Sequence, residues 1–204
     1  GMAEKRSPEL ATWIQEHVSF PGTMVDRIVP AATEESLAEI ARELGVADPC
    51  AISCEPFIQW VIEDNFVCGR PQWETAGVQM VENVLPWEQM KLRMLNGSHS
   101  FLAYLGYLAG FQHISDCMQD SAFREAAYRL MLNEQAPTLQ ITDVDLDQYA
   151  LSLLERFANP ALKHKTWQIA MDGSQKLPQR MLAGIRLHLA RESAWPLLAL
   201  GVAG

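Results

Sequence analysis

The sequence predicts a mainly α fold of many helices with a few short strands and no dinucleotide-binding domain of its own. Three observations carry this. From Pro86 to the C-terminus nearly every segment repeats its apolar residues at helical spacing. Strand-like runs rich in Ile, Val and aromatics occur only before that point, and they are short and broken by Pro56. Neither GxGxxG nor GxxxxGK[ST] occurs, so no loop is built to cradle a nucleotide's phosphates.

In "SPELATWIQEHV", Ser7 is placed to cap a helix and Pro8 to open it. "SFPGTMVDRIVPAA" breaks that helix with Pro21, Gly22 and Pro30, around an apolar run holding Asp26 and Arg27. "TEESLAEIARELGV" predicts an amphipathic helix. Thr33 caps it, Leu37, Ile40, Ala41 and Leu44 share a face, and Gly45 ends it. "CAISCEPFIQWVIEDNF" reads as two short extended segments and "TAGVQMVEN" as a third, enough for a small sheet. "WEQMKLRML" is one helix. "SHSFLAYLGYLAGF" is nearly all apolar and should be a central, buried helix. "SAFREAAYRLMLNEQ" is capped by Asp120 or Ser121, and "TDVDLDQYALSLLERFAN" stops at Asn159-Pro160. The stretch from Lys163 to Ser193 holds a helix, a turn at Gly173 and a second helix with Pro178 in its first turn.

Composition narrows the function. A net charge of −9 with no basic cluster argues against a nucleic-acid binder. The four cysteines (Cys50, Cys54, Cys68, Cys117) form no CxxC pair, and the five histidines no HxxxH pair, so no metal site is expected. The thiols read as reduced and mostly buried in a cytoplasmic protein. The N-terminus has no signal peptide, and no segment spans a membrane. "SAWPLLALGVAG" reads as a core helix cut off in mid-pattern, so a fragment truncated at both ends is expected, with an apolar end open to self-association.

The segment "EQMKLRMLNGSHSF" places Lys91, Asn96 and His99 among apolar residues. At about 100° per residue they fall at roughly 0°, 140° and 80°, on one broad face. A lysine deprived of water is drawn toward neutrality and can take a proton. Asn and His can hold the oxygens of a reacting alcohol. This is what a metal-free alcohol dehydrogenase needs. Spacing alone favours a plainer account: a turn at Asn96-Gly97-Ser98, Ser98 capping a new helix, Lys91 reaching solvent and His99 satisfied in the core.

"KLRMLNGSH", with K-x4-N-x2-H, resembles the signature of the long-chain mannitol dehydrogenase family of polyol and uronate reductases. "FPGTMVDRIVPA", "CEPFIQWVIEDNF", "GVQMVENVLPWEQMK" and "MDGSQKLPQRML" resemble that family too, in the same order, over most of the chain from about Ser19. The resemblance implies that residues 1–204 are the helical C-terminal substrate domain of such an enzyme. It implies that Lys91 is the general base, that Asn96 and His99 orient the reacting oxygens, that Asp26 and Val25 lie near substrate and nicotinamide, and that Lys176 binds substrate. It implies NAD without metal, held mainly by an N-terminal dinucleotide-binding domain that would precede residue 1.

Gly22 departs from the Asn or Cys common in the family, and Gln168 stands where mannitol-specific members carry arginine. "TWQIAMDGSQKLPQR" is most similar to the fructuronate reductase branch, which shifts the expected substrate from a polyol to a hexuronate. Lys176, Arg180 and Arg27 are the cations available to its carboxylate. Mannitol, altronate or another polyol is the alternative substrate. A helical interaction domain without catalysis is the alternative of another class.

Overall fold

The computed structural model describes residues 1–204. The fold is mainly helical, as the sequence predicts. Its elements begin with α1 (Met2–Arg6), α2 (Pro8–His17), β1 (Thr23–Asp26), α3 (Glu34–Leu44), β2 (Gln59–Glu63), β3 (Gln79–Val81) and α4 (Leu85–Met90). They continue with α5 (Ser98–Leu108), α6 (Ile114–Gln119), α7 (Ser121–Arg129), α8 (Leu146–Phe157) and α9 (Thr166–Ala170). The last are α10 (Gly173–Leu177), α11 (Ala183–Ala190) and α12 (Pro196–Ala203). Three π-helical turns, Lys91–Gly97, Leu130–Gln135 and Pro178–Leu182, join α4 to α5, extend α7, and join α10 to α11. No helix is long and apolar enough to cross a membrane.

The chain divides into two compact units, Gly1–Asp26 with Ile58–Trp87, and Arg27–Phe57 with Glu88–Gly204. In the first, Ser7 Oγ accepts from Leu10 N at 3.2 Å and caps α2 as expected. The sheet order is β1-β2-β3, with β1 antiparallel and β3 parallel to β2. Met24, Val61 and Val84 form its small core, with Val81 and Trp87 packed against them. Glu63 ties the backbone there, accepting from Gly22 N at 2.9 Å and Val84 N at 3.1 Å. A Cβ on Gly22 would lie 2.8 Å from Val84 Cγ1, which accounts for a glycine at this point.

Two strand expectations are corrected. β1 lies in the stretch read only as a break. Its burial alternates as a strand's should, but one inward position holds Asp26, and a charge there hides the pattern. Cys50–Phe57 forms no strand. Its Glu55 is committed elsewhere, as follows.

In the second unit, Thr33 caps α3 and Gly45 ends it at φ 71°. Asp120, not Ser121, caps α7. The core gathers around α5, whose Phe101, Leu102 and Ala103 are fully buried, with Met94, Leu130, Met131, Leu153 and Met181. Glu55 and Arg156 form a buried ion pair: Arg156 Nη2 donates to Glu55 Oε1 at 2.7 Å and Nε to Oε2 at 3.0 Å. Buried Glu134 accepts from Leu197 N and Leu198 N at 2.8 and 2.7 Å, placing a carboxylate on the N-terminus of α12. The helix expected to open near Pro178 instead opens at Gly173, after Asp172 at φ 60°. At Pro178, which has no N–H to give, the winding widens to the π form and the helix runs on. The thiols are a further correction: Cys50, Cys54 and Cys68 are exposed and only Cys117 is buried. The first three sit on loops, where the sequence offers no helical face to bury them.

Candidate active site

The backbone stays helical from Leu85 to Leu108, so Asn96-Gly97-Ser98 is not a turn and Ser98 starts no new helix. Gly97 has φ −66°, ψ −49° and Ser98 φ −65°, ψ −34°. What changes is the winding. A π turn advances roughly 85° per residue instead of 100°. Over Lys91–Gly97 this draws Lys91, Asn96 and His99 into an arc of roughly 75°, narrower than the 140° expected from α spacing. Gly97 permits the packing that holds this turn. A Cβ there would lie 2.5 Å from Gln135 Nε2 and 2.9 Å from the Arg180 carbonyl oxygen, so the three π turns meet at Gly97. Next to it, Ser98 Oγ donates to Gln135 Oε1 at 3.0 Å.

Uncommitted polar groups collect along this helix. Lys91 and Asn96 are half-buried, and neither side chain makes a hydrogen bond or ion pair. His99 is 8% exposed and stacks on Phe157 at 5.2 Å, with His164 tilted against it at 5.1 Å. Its Nε2 is buried without a partner. Burial first, then the charges of His164, Arg180, Lys176 and Arg156, hold His99 well below the ordinary histidine value. Burial also lowers His164.

The sign of this shift gives a prediction. Below the ordinary value of 6.5, the unfolded chain takes up protons that the folded His99 refuses. Stability therefore rises with pH through that window and is lost on acidification. The carboxylates lowered by hydrogen bonds, Glu63, Asp64 and Glu74, titrate below 4.5, outside the window. Melting temperature should fall as pH drops from about 7.5 to about 5.5, and His99→Gln should flatten the slope. An unchanged slope in the variant would contradict the assignment.

Arg180, on the Pro178–Leu182 turn, donates from Nη1 to Ser100 Oγ at 3.0 Å and to the Asn96 carbonyl at 3.4 Å. Its Nε is buried with no acceptor. Lys176 donates to the Ile169 carbonyl at 3.1 Å. Neither cation forms an ion pair. Burial lowers the pKa of both, and Asp172 acts on Lys176 only through space. The structure thus brings Asn96, His99, Lys176 and Arg180 into one neighbourhood, with Lys91 about two turns before His99 on the same helix.

Arg27 is placed differently. It donates from Nε to the Phe57 carbonyl at 2.9 Å and from Nη2 to the Pro56 carbonyl at 3.1 Å. Val25 and Asp26 lie in the first unit on β1, Val25 46% exposed and Asp26 fully buried. No group of three His, Cys, Asp or Glu side chains is arranged to hold a metal ion.

Sequence reasoning missed Ser100, Tyr104 and His164. Asn96, Ser100 and Tyr104 are spaced by four, the last two on a helix read as nearly all apolar. That spacing puts polar groups on one stripe and was the available signal. His164 comes from a loop after α8 and carries no such signal.

Comparison with known proteins places the chain in a class. The model for the mannitol dehydrogenase C-terminal domain matches residues 83–204, and that for the mannitol dehydrogenase Rossmann domain matches residues 2–75. The chain belongs to the mannitol dehydrogenase family. The second match corrects the expectation that the cofactor domain lies wholly before residue 1: part of it is in the chain. The glycine-rich motif is absent from residues 2–75, which is why sequence reading overlooked this part.

Among relatives, the uncharacterized oxidoreductase YeiQ of Escherichia coli is 83% identical over 100% of this chain and 42% of its own length. D-mannonate oxidoreductase of the same organism is 65% identical over 100% of this chain and 42% of its own. A solved structure of Pseudomonas fluorescens mannitol 2-dehydrogenase, a ternary complex with NAD and D-mannitol, superposes with a TM-score of 0.88 at 39% identity. It covers 97% of this chain and 40% of that one. The chain thus spans about two-fifths of the length of the relatives it matches.

Proposed function

We propose that this chain is the substrate-binding and proton-handling part of an NAD-dependent hexuronate oxidoreductase, which interconverts D-mannonate and D-fructuronate. The observation that carries the reading is the pair of half-buried cations, Lys176 and Arg180, without a protein counter-ion beside His99. A buried cation left unpaired is costly, and an anionic ligand offsets that cost. A hexuronate brings a carboxylate, whereas a neutral polyol does not. The 65% identity to a D-mannonate oxidoreductase supports the same choice. Likeness to mannitol 2-dehydrogenase favours a polyol as the second reading.

The roles follow from chemistry. Lys91 Nζ, free of protein partners, accepts the proton of the reacting hydroxyl during oxidation and returns it during reduction. The Asn96 amide and the unpartnered His99 Nε2 hold the reacting oxygen, with His99 neutral at physiological pH. Arg180 and Lys176 hold the carboxylate and fix the sugar chain's direction. Val25, exposed on β1 with Asp26 next to it in sequence, is assigned to the nicotinamide on the family resemblance alone. NAD, when bound, supplies the hydride acceptor.

The test uses the chain on a full-length polypeptide with its complete cofactor domain. It should reduce D-fructuronate with NADH, and Arg180→Gln should raise KM for the hexuronate about 30- to 150-fold, matching loss of about 2–3 kcal/mol of charge-assisted hydrogen bonding. Unchanged KM would remove Arg180 from the carboxylate site.

A further inference from the structure

Resting on the hexuronate reading, a second donor lies one helical turn from Ser100, the residue that Arg180 bonds. The Tyr104 hydroxyl is buried and has no hydrogen-bond partner, as does Arg180 Nε. Two orphaned donors, each on a residue whose charge or dipole acts on the other, are unusual, since buried polar groups are otherwise almost always paired. They share a neighbourhood for a definite reason. Asn96, Ser100 and Tyr104 follow one another at four-residue spacing down one stripe of the helix. Arg180 is bound to the first two of these, through the Asn96 carbonyl and Ser100 Oγ, and its charge reaches the Tyr104 hydroxyl. Lys176 precedes Arg180 by the same four-residue step on the opposing helix.

The hydroxyl is also held in place. A Cβ on Gly173 would come within 2.9 Å of it, so the bare backbone at the start of α10 closes over the ring's tip. Burial raises the Tyr104 pKa, which keeps the hydroxyl protonated and able to donate. A ligand group that satisfies these donors has to accept several hydrogen bonds and, beside Arg180 and Lys176, is favoured by negative charge. Among the parts of a hexuronate only the carboxylate does both.

We propose that Tyr104 is a specificity-determining residue, whose hydroxyl donates to the substrate carboxylate alongside Arg180 and so selects hexuronates over neutral polyols. The hydroxyl makes no bond within the protein. Removing it should therefore cost the substrate and not the fold.

Steady-state kinetics of Tyr104→Phe in the full-length polypeptide tests this, with D-mannonate as substrate, D-mannitol as neutral substrate or competitive inhibitor, and a melting curve of each protein. The expected result is a KM for D-mannonate raised about 10-fold or more, kcat changed little, the D-mannitol constant unchanged and the melting temperature not lowered. An unchanged KM for D-mannonate, in an enzyme that does turn over hexonates, overturns the role of Tyr104 and leaves the hexuronate reading standing. Equal losses for both ligands, or a lowered melting temperature, assign Tyr104 to packing and also overturn it. A wild-type enzyme that ignores D-mannonate and takes only D-mannitol overturns both readings.

Discussion

Lys91→Ala should lower kcat by roughly 10³-fold while leaving the melting temperature nearly unchanged. The side chain is half-buried at the start of the Lys91–Gly97 π turn, and its ammonium forms no hydrogen bond or ion pair. Its removal therefore breaks no protein contact beyond the packing of its aliphatic stem. The loss falls on the reaction, because His99, the other nitrogen base proposed at the reacting oxygen, is held well below the ordinary histidine value and is a weak proton acceptor. Loss confined to kcat would mark an interaction made only in the transition state, whereas a rise in KM alone would mark a binding role. Steady-state rates with NADH and D-fructuronate decide this, and near-normal turnover would remove Lys91 as the base.

Arg156→Ala should be the most damaging change to the fold, lowering stability by about 3–5 kcal/mol. Arg156 is 8% exposed and Glu55 2% exposed. The substitution strands a carboxylate that also accepts from Ile28 N at 2.6 Å, and it removes the guanidinium lying 4.0 Å from the Phe57 ring centroid. The pair joins residues 101 positions apart, so its loss removes a buried tie between the Arg27–Phe57 segment and α8. Urea unfolding of the single variant and of a Glu55→Gln, Arg156→Met double variant checks this. The double variant should recover part of the loss, because the Glu55 carboxylate is no longer left bare. A single-variant loss below about 1 kcal/mol would contradict the account.

Helix ends were legible in the sequence wherever a cap marks them. Ser7, Thr33, Gly45 and Asp120 all act as their side chains or backbones require. The π turns were not legible. Their one-residue change of register depends on Gly97 meeting Gln135 and the Arg180 backbone, contacts between segments far apart in the chain. Apolar periodicity averages over such a step. The candidate site was half legible. Lys91, Asn96 and His99 stand out as polar residues in an apolar run. Ser100 and Tyr104 fit a buried helix too well to attract notice until Arg180 is seen beside them. β1 stayed hidden because its inward pattern ends on a carboxylate, Asp26. The Glu55–Arg156 pair left no local trace at all.

In the proposed site one helix and the turn facing it hold the two ends of the substrate, reacting oxygen and carboxylate, at separate places. A crystal structure of the full-length polypeptide with NAD and D-mannonate tests it most directly. The account predicts the reacting hydroxyl within hydrogen-bond reach of Lys91 Nζ and His99 Nε2, and the carboxylate on Arg180 with the Tyr104 hydroxyl. A substrate bound the other way round, or a carboxylate facing solvent with Arg180 Nε still unpaired, would contradict it.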